Sequence, residues 1–530
     1  MIHKVLIADG LAAEGIAKLK TLPSIELLDF AAIEREELKK MLPQVDILIV
    51  RSRTQVDKDL LECGKSLKLV IRAGIGLDNI DVAAATESAV VVMNAPTGNI
   101  VTTAEHSLAM LFAVSRHIPA ADASIRSGKW EKKKFQGNEL RGKTLGLVGL
   151  GNIGKAVAER ARGLCLNVIG YDPYLSEEAA AKHHIRLVSM DALLRESDYV
   201  SVHVPLIAST KHLINREAFA KMKKGAYLIN CARGGIVDEA ALVEALDEKK
   251  LNGAALDVFE TEPLPASHPL LKRSDIVLTP HLGASTDEAQ VQVGIEVAEQ
   301  ITYYLRDGVL KNAINVPNVS LEQLGVLKPY LNLCQKLGAF IAQISSAKTV
   351  KRIKVRYEGI PNIGSNRDIL TLTVMQGFLT PLLSTAVNSV NARNLMKERG
   401  IRIEESSLDE CTDYATLIEI LVEGDVRTRI AGTLFGKSEP RIVRIDDFVI
   451  DALPEGYVLF TRNSDQPGVI GNMGSVVGTQ GVNIARMHLG RDTKKKEAIA
   501  LINVDSSLTA ETLEKMRKIP GMLSVQQIRV

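Results

Sequence analysis

Between residue 4 and about residue 96 the chain alternates short apolar runs with longer amphipathic stretches. The runs KVLIADG, DILIVRS, KLVIRAG and VVVMNAP are apolar throughout rather than at every second position. A strand apolar on both sides is covered on both sides, and strands separated by helix-length segments pair in parallel, so a parallel βαβ sheet is expected here. A helix near 100–118 follows. The rhythm then restarts with TLGLVGL, NVIGYDP, YVSVHVP, AYLINCA, GAALDVF and IVLTPHL, which predict a second α/β domain. A long helical stretch over roughly 286–307 leads to NAINVPNV, read as the entrance to a linker.

Beyond about 317 the texture changes. KRIKVRYEG puts Ile353, Val355 and Tyr357 on one face and charges on the other, the alternation of a half-exposed strand. TLIEILV, RTRIAGTLF and PRIVRIDDF continue in that style around a helix expected near 380–399, predicting a separate α+β domain. The last 75 or so residues read strand, helix, strand, strand, helix, strand, the βαββαβ order of a ferredoxin-like fold.

A chain of 530 residues exceeds one hydrophobic core and accommodates several domains. Its net charge of +2 argues against a nucleic-acid partner held through many phosphate contacts. Five scattered cysteines, Cys63, Cys165, Cys231, Cys334 and Cys411, lack CxxC spacing; they predict free thiols in a reducing compartment and no metal site. No signal peptide or membrane span is legible, so a cytoplasmic protein without membrane partners is expected.

Chemistry enters at TLGLVGLGNIGKAVAERA. Gly149-x-Gly151-x-x-Gly154 follows an apolar strand and opens a helix, the arrangement that lets backbone approach a pyrophosphate at a helix N-terminus. Asp172 lies about 20 residues on, at a strand end, where a carboxylate accepts from ribose hydroxyls and repels a 2′-phosphate; no arginine follows it directly. NAD is therefore the expected cofactor. Three more strand ends carry NCARGGIVDE, DVFETEP and PHLGAST, offering Arg233, Glu262 and His281. Oxidation of a secondary alcohol needs a base for the hydroxyl proton, a role suited to histidine beside a carboxylate, while an arginine fork grips a substrate carboxylate. Cys231, close to Arg233, is expected to pack rather than react.

Together these segments resemble the D-isomer-specific 2-hydroxyacid dehydrogenases, whose cofactor and catalytic signatures VGLGNIGKAVA, NCARGGIVDE, DVFETEP and PHLGAST are similar to, and in the same order. The resemblance implies a Rossmann-type doubly wound cofactor domain, 97–285, inserted in a flavodoxin-like substrate domain formed by 1–96 and 286–316. It makes His281 the acid/base, Glu262 its partner and Arg233 the substrate anchor. The implied NAD contacts are Ile75, Gly149, Gly151, Asn152, Ile153, Gly154, Asp172, His203, Val204, Pro205, Cys231, Ala232, Arg233, Asp257, His281, Gly283 and Ala284.

Within the family, VRSRTQVD, RAGIGLDNID and NAPTGNIVTTAEH are most similar to the branch acting on phosphoglycerate. That implies 3-phosphoglycerate as substrate, with Arg51, Ser52, Arg53, Arg72, Gly74, Gly76 and Asn99 around it. NSDQPGVIGNMGSVVGTQGVNIARMHLGR resembles the ACT module, which commonly binds amino acids where two copies meet. It implies an intervening α+β domain over 317–453, an ACT regulatory domain over 454–530, L-serine as effector at Asn463, Asp465 and Asn483, and a homo-oligomer, tetramer or dimer. Two alternatives remain: a relative acting on an unphosphorylated acid such as hydroxypyruvate or glyoxylate, and a non-enzymatic NAD-sensing scaffold.

Overall fold

The computed structural model describes residues 2–317, 321–360, 363–383 and 387–530 and contains four sheets. The first pairs β1 (His3–Ile7), β2 (Ile25–Asp29), β3 (Ile47–Val50), β4 (Leu69–Arg72) and β5 (Val91–Asn94). All are parallel, in the flavodoxin-like order β2-β1-β3-β4-β5. The second contains β6 (Thr144–Val148), β7 (Asn167–Tyr171), β8 (Arg186–Leu187), β9 (Tyr199–Val202), β10 (Ala226–Asn230), β11 (Leu251–Leu256) and β12 (Ile276–Leu278). Its order, β12-β11-β10-β9-β6-β7-β8, is doubly wound and reverses between β6 and β9. Ligands of such sheets bind beyond the carboxyl ends of the strands at this reversal.

Two helices join these halves. Ile100–Ser115 buries Leu108, Leu111 and Val114 with Leu145, Leu147 and Tyr227 of the second sheet. Asp287–Asp307 returns to the first sheet, burying Val293, Val297 and Ile301 with Val5, Ile7 and Ile71. Each such fully buried side chain contributes about 1.5–3 kcal/mol, so the return helix is held by its apolar stripe. Its backbone comes so close that a Cβ on Gly15 would lie 2.6 Å from the Gly294 carbonyl oxygen. The two crossing segments also touch: Thr97 Oγ1 donates to buried Glu296 at 2.7 Å. NAINVPNV adds to the edge of β5, with Ile314 N–H donating to Val92 at 2.8 Å and Asn315 Oδ1 accepting from Val92 N–H at 2.9 Å; its last two residues lie outside the described residues.

The third sheet runs β14-β13-β15-β16-β17-β18, with β13 (Val350–Glu358), β14 (Arg402–Leu408), β15 (Leu417–Gly424), β16 (Arg427–Phe435), β17 (Glu439–Ile445) and β18 (Phe448–Ala452). Ile353, Val355 and Tyr357 are buried beneath helices Leu321–Ile344 and Ile363–Leu379, as their alternation requires. The helix expected near 380–399 is corrected. Pro381 follows the end of the Ile363–Leu379 helix, 384–386 lie outside the described residues, and the chain becomes helical again over Ala392–Glu398.

The C-terminal sheet, order β20-β21-β19-β22, comprises β19 (Tyr457–Ser464), β20 (Ile484–Asp492), β21 (Glu497–Val504) and β22 (Met522–Arg529). Helices Val469–Gly478 and Ala510–Arg517 complete the βαββαβ unit.

Candidate active site

Gly149, directly after β6, has φ +97°, and a Cβ there would sit 2.7 Å from the His203 carbonyl oxygen. A Cβ on Gly154 would lie 2.2 Å from the Gly149 carbonyl oxygen, so the turn closes only over glycine. Gly151 caps the Asn152–Gly163 helix, whose first turn carries Asn152 and Ile153, and a Cβ on Gly151 would meet nothing within 4 Å. Open space thus stands before a helix N-terminus with unpaired N–H groups, a cradle shaped for a pyrophosphate. Asp172, one residue past β7, accepts from Leu150 N–H at 2.9 Å and Tyr174 N–H at 2.9 Å, fixing its carboxylate to the glycine turn.

His203 follows β9, ahead of Val204 and Pro205. Its ring is part-buried, 2.9 Å from Ser201 Oγ, and desolvation pushes its pKa down to about 4, so it stays neutral. Cys231 is buried at the end of β10, and burial pushes its thiol up to about 12; it cannot serve as a thiolate nucleophile. Asn230, absent from the expected site, brackets the next turn by accepting from Ala232 N–H at 3.0 Å and donating to the Arg233 carbonyl at 2.9 Å.

His281 Nδ1 lies 2.8 Å from Glu262 Oε2, and Glu262 Oε1 accepts from Phe259 N–H at 3.0 Å. The hydrogen bond to Glu262 raises the imidazole pKa against the opposing effect of burial. On Glu262, burial pushes upward, but the His281 and Phe259 hydrogen bonds outweigh it and hold the carboxyl below its usual range. Because the ionised carboxylate accepts at Nδ1, Nε2 is left to act on a substrate. The backbone of His281 is left-handed, φ +55°, and Asp257 holds that turn. Its main-chain oxygen accepts from His281 N–H at 2.9 Å. Its fully buried carboxylate accepts from Thr279 Oγ1 at 2.6 Å, Leu282 N–H at 2.7 Å and Gly283 N–H at 2.8 Å. Gln290 Nε2 secures the Ala284 carbonyl at 2.9 Å.

Arg233 crosses from the second sheet to the first. Its Nε donates to Asp78 Oδ2 at 3.0 Å, and its terminal nitrogen passes so close to Gly76 that a Cβ there would stand 2.1 Å away. Arg72, at the end of β4, is largely buried and has no carboxylate within 4 Å among the described residues; its Nε donates to Asn79 Oδ1 at 3.1 Å. Burial first, then the charges of Arg51 and Arg233, push its pKa down to about 10. Three cations therefore converge with incomplete neutralisation. Gly74, φ +151°, leaves room for the Arg72 guanidinium, and Asn94 Nδ2 holds the Ile75 carbonyl at 2.7 Å. Arg53 is engaged differently, half-exposed and paired with Glu34 at 2.6 Å, and neighbouring Ser52 is exposed. Asn99 is buried between the crossing segment and its helix, and its Oδ1 has no hydrogen-bond partner among the described residues.

The supporting residues Asp9, Asp78 and Asn79 were not foreseen. Asp9 accepts from Arg51 N–H at 2.7 Å and Thr54 Oγ1 at 2.6 Å, while Asn79 Nδ2 donates to the carbonyls of Arg51 and Thr54 at 2.7 and 2.6 Å. The available signal was weak: polar residues just after apolar strands.

Residues 108–283 match the family described as D-isomer specific 2-hydroxyacid dehydrogenase, NAD binding domain; 326–446 match the D-3-phosphoglycerate dehydrogenase intervening domain; 457–521 match the ACT domain. The D-3-phosphoglycerate dehydrogenase of Archaeoglobus fulgidus is 41% identical, with 99% of this chain and 100% of the relative covered. That of Methanocaldococcus jannaschii is 40% identical over 99% and 100%. The chain belongs to the D-3-phosphoglycerate dehydrogenase family. A solved NAD-dependent formate dehydrogenase from Staphylococcus aureus in complex with NAD is also similar, at TM-score 0.53 and 30% identity over 59% of this chain and 98% of that one. That share is consistent with the two N-terminal sheets being common to the wider group of dehydrogenases.

In the ACT unit Asn463 is buried with Oδ1 unpartnered among the described residues, and Asp465 is gripped by Arg491 at 2.6 Å. Asn483 instead pairs with Asp505 at 3.1 Å, at the far end of β20. Asp465 and Asn483 are thus separated by nearly the whole strand, roughly 26 Å at about 3.3 Å per residue, and one chain does not bring the three expected effector residues together.

Proposed function

We propose that this chain oxidises 3-phospho-D-glycerate to 3-phosphohydroxypyruvate with NAD, the entry step of L-serine synthesis. The observation that carries this reading is the His281–Glu262 pair set beside the under-neutralised Arg233, Arg72 and Arg51. A substrate bearing both a carboxylate and a phosphate supplies the negative charge such a cluster lacks.

Arg233 grips the substrate carboxylate and polarises the carbinol oxygen, while Arg72 and Arg51 receive the phosphate. His281 Nε2 takes the hydroxyl proton, and Glu262 stabilises the imidazolium that results. NAD, which the Gly149–Gly154 turn and Asp172 would hold, would supply the acceptor for the hydride leaving the carbinol carbon. Asp172, with no arginine beside it, favours NAD over its 2′-phosphorylated counterpart. Among the described residues no group of side chains is arranged to hold a metal ion.

The ACT domain is a place for an effector, read here as L-serine, and the split of Asp465 from Asn483 supports a homo-oligomer, tetramer or dimer. Five free cysteines fit a reducing, cytoplasmic setting, and among the described residues no helix is long and apolar enough to cross a membrane.

The deciding experiment measures NADH formation with 3-phosphoglycerate, glycerate, glycolate and D-lactate. Turnover of the phosphorylated acid far above the others is expected. Preference for an unphosphorylated acid would overturn the substrate assignment, and no NADH with any acid despite NAD binding would overturn the reaction.

A further inference from the structure

The Ile100–Ser115 helix lays Thr103, His106 and Met110 along one face, at the i, i+3, i+7 spacing, against the turn that carries His281. Thr103 Oγ1 donates to the Gly283 carbonyl at 2.9 Å, and Thr279 Oγ1 lies 3.7 Å from Met110 Sδ. Between these contacts His106 Nε2 stands 3.2 Å from Asp257 Oδ1 and 3.3 Å from Thr279 Oγ1.

The neighbours settle which atom donates. Asp257 is held ionised: burial pushes its carboxyl upward, but the hydrogen bonds of His106, Thr279 and Leu282 outweigh it. It therefore has no proton to give. The Thr279 hydroxyl proton is committed to Asp257 at 2.6 Å, which leaves its oxygen as an acceptor. Both partners of His106 Nε2 accept, so Nε2 carries the proton. His106 is then the only imidazole N–H on this buried carboxylate among the described residues, joining one hydroxyl and two main-chain N–H groups.

We infer that His106 is a positioning residue for the acid/base: its Nε2–H orients the Asp257 carboxylate, which in turn holds the Thr279–Gly283 turn and keeps the His281 ring against Glu262. The inference rests on the catalytic role proposed for His281. A non-glycine residue in left-handed backbone persists only where its surroundings over-determine it, and here Asp257 supplies that constraint. Asp257 faces His106, Cys231, Glu262 and His281, and Cys231 is neutral. Without His106 Oδ1 keeps its Thr279 and Leu282 donors but loses the imidazole that ties the carboxylate to the Ile100–Ser115 helix. The carboxylate is then braced only by the turn it holds, and that turn loosens against the helix.

The test compares His106→Leu, His106→Gln and His106→Asn in the full chain beside the native protein. It records kcat, both KM values and the pH profile of kcat. Leu and Asn are expected to lower kcat by about tenfold or more with KM changed by less than about threefold, the pattern of an interaction that matters in the transition state. The low-pH midpoint of kcat should move downward as the His281 ring loses Glu262. Gln, whose amide nitrogen reaches the Nε2 position, should restore both kcat and the midpoint. If Leu does not fold, the Gln and Asn pair decides, since both keep a polar amide and differ in reach. Equal kcat for Gln and Asn, or native kcat and midpoint in Leu, would overturn the inference. Absence of NADH formation by the native protein would instead overturn the reaction itself.

Discussion

In the proposed reaction His281 has two jobs that pull against each other: to accept a proton it must be neutral, and to hold that proton it needs Glu262. Glu262 raises the imidazole pKa above its ordinary 6.5, so the oxidation rate should climb as pH passes that displaced value and fall below it. Glu262→Gln removes the support for the imidazolium. The low-pH limb should shift to lower pH while kcat declines, as a pH series at saturating substrate would read. His281→Gln should lower kcat by roughly 10²- to 10⁴-fold with NAD affinity retained, measured by steady-state assay and NAD titration; near-native turnover would remove His281 from the mechanism. These residues were legible because each lies in a segment at a strand end, where an α/β sheet places its ligands. Asn79 and Asp78 were not. Their importance comes from reaching across loops to Arg72 and Arg233, and neither composition nor spacing records a contact of that kind.

In the two parallel sheets, the strands that stand out in the sequence are largely buried. β3, β5 and β10 are wholly buried and stand out as apolar runs. β2 is a partly exposed edge strand and β8 has two residues, so neither carries a hydrophobic signature above its surroundings. The Ile363–Leu379 helix was missed for a different reason. Its Thr371 and Thr373 are buried along with Leu370, Leu372 and Val374, so no polar face marks a period of 3.6. The Gly74–Gly76 loop offers a test at this scale. A Cβ on Gly76 would collide with the terminal nitrogen of Arg233 at 2.1 Å, an atom at the end of a flexible side chain. The arginine yields before the fold does. Gly76→Ala should therefore raise KM for 3-phosphoglycerate by about tenfold, roughly the loss of one charge-assisted hydrogen bond, with Tm little changed. A large fall in Tm with KM intact would show that the loop, not Arg233, sets the need for glycine.

Across the whole molecule the catalytic sheets and the ACT sheet raise different problems of completeness. The Arg233–Asp78 pair joins both catalytic sheets within one chain, and the return helix keeps them together. The residues expected to hold an effector are not so joined: Asn463 and Asp465 lie at one end of the ACT sheet and Asn483 at the other. If serine needs all three, two chains must face each other, each lending its Asn483 to the other's Asn463 and Asp465. Asp465→Ala and Asn483→Ala should then each abolish serine binding alone. In a hybrid pair one of the two sites carries both substitutions and the other carries neither. Calorimetry with L-serine on the two variants mixed and allowed to exchange subunits should recover binding at one site per hybrid pair. Recovery follows only from a shared site, because a site contained in one chain would stay damaged in each variant however they are mixed. A mixture that still binds nothing, with hybrids demonstrated by differently tagged chains, would put the effector residues elsewhere.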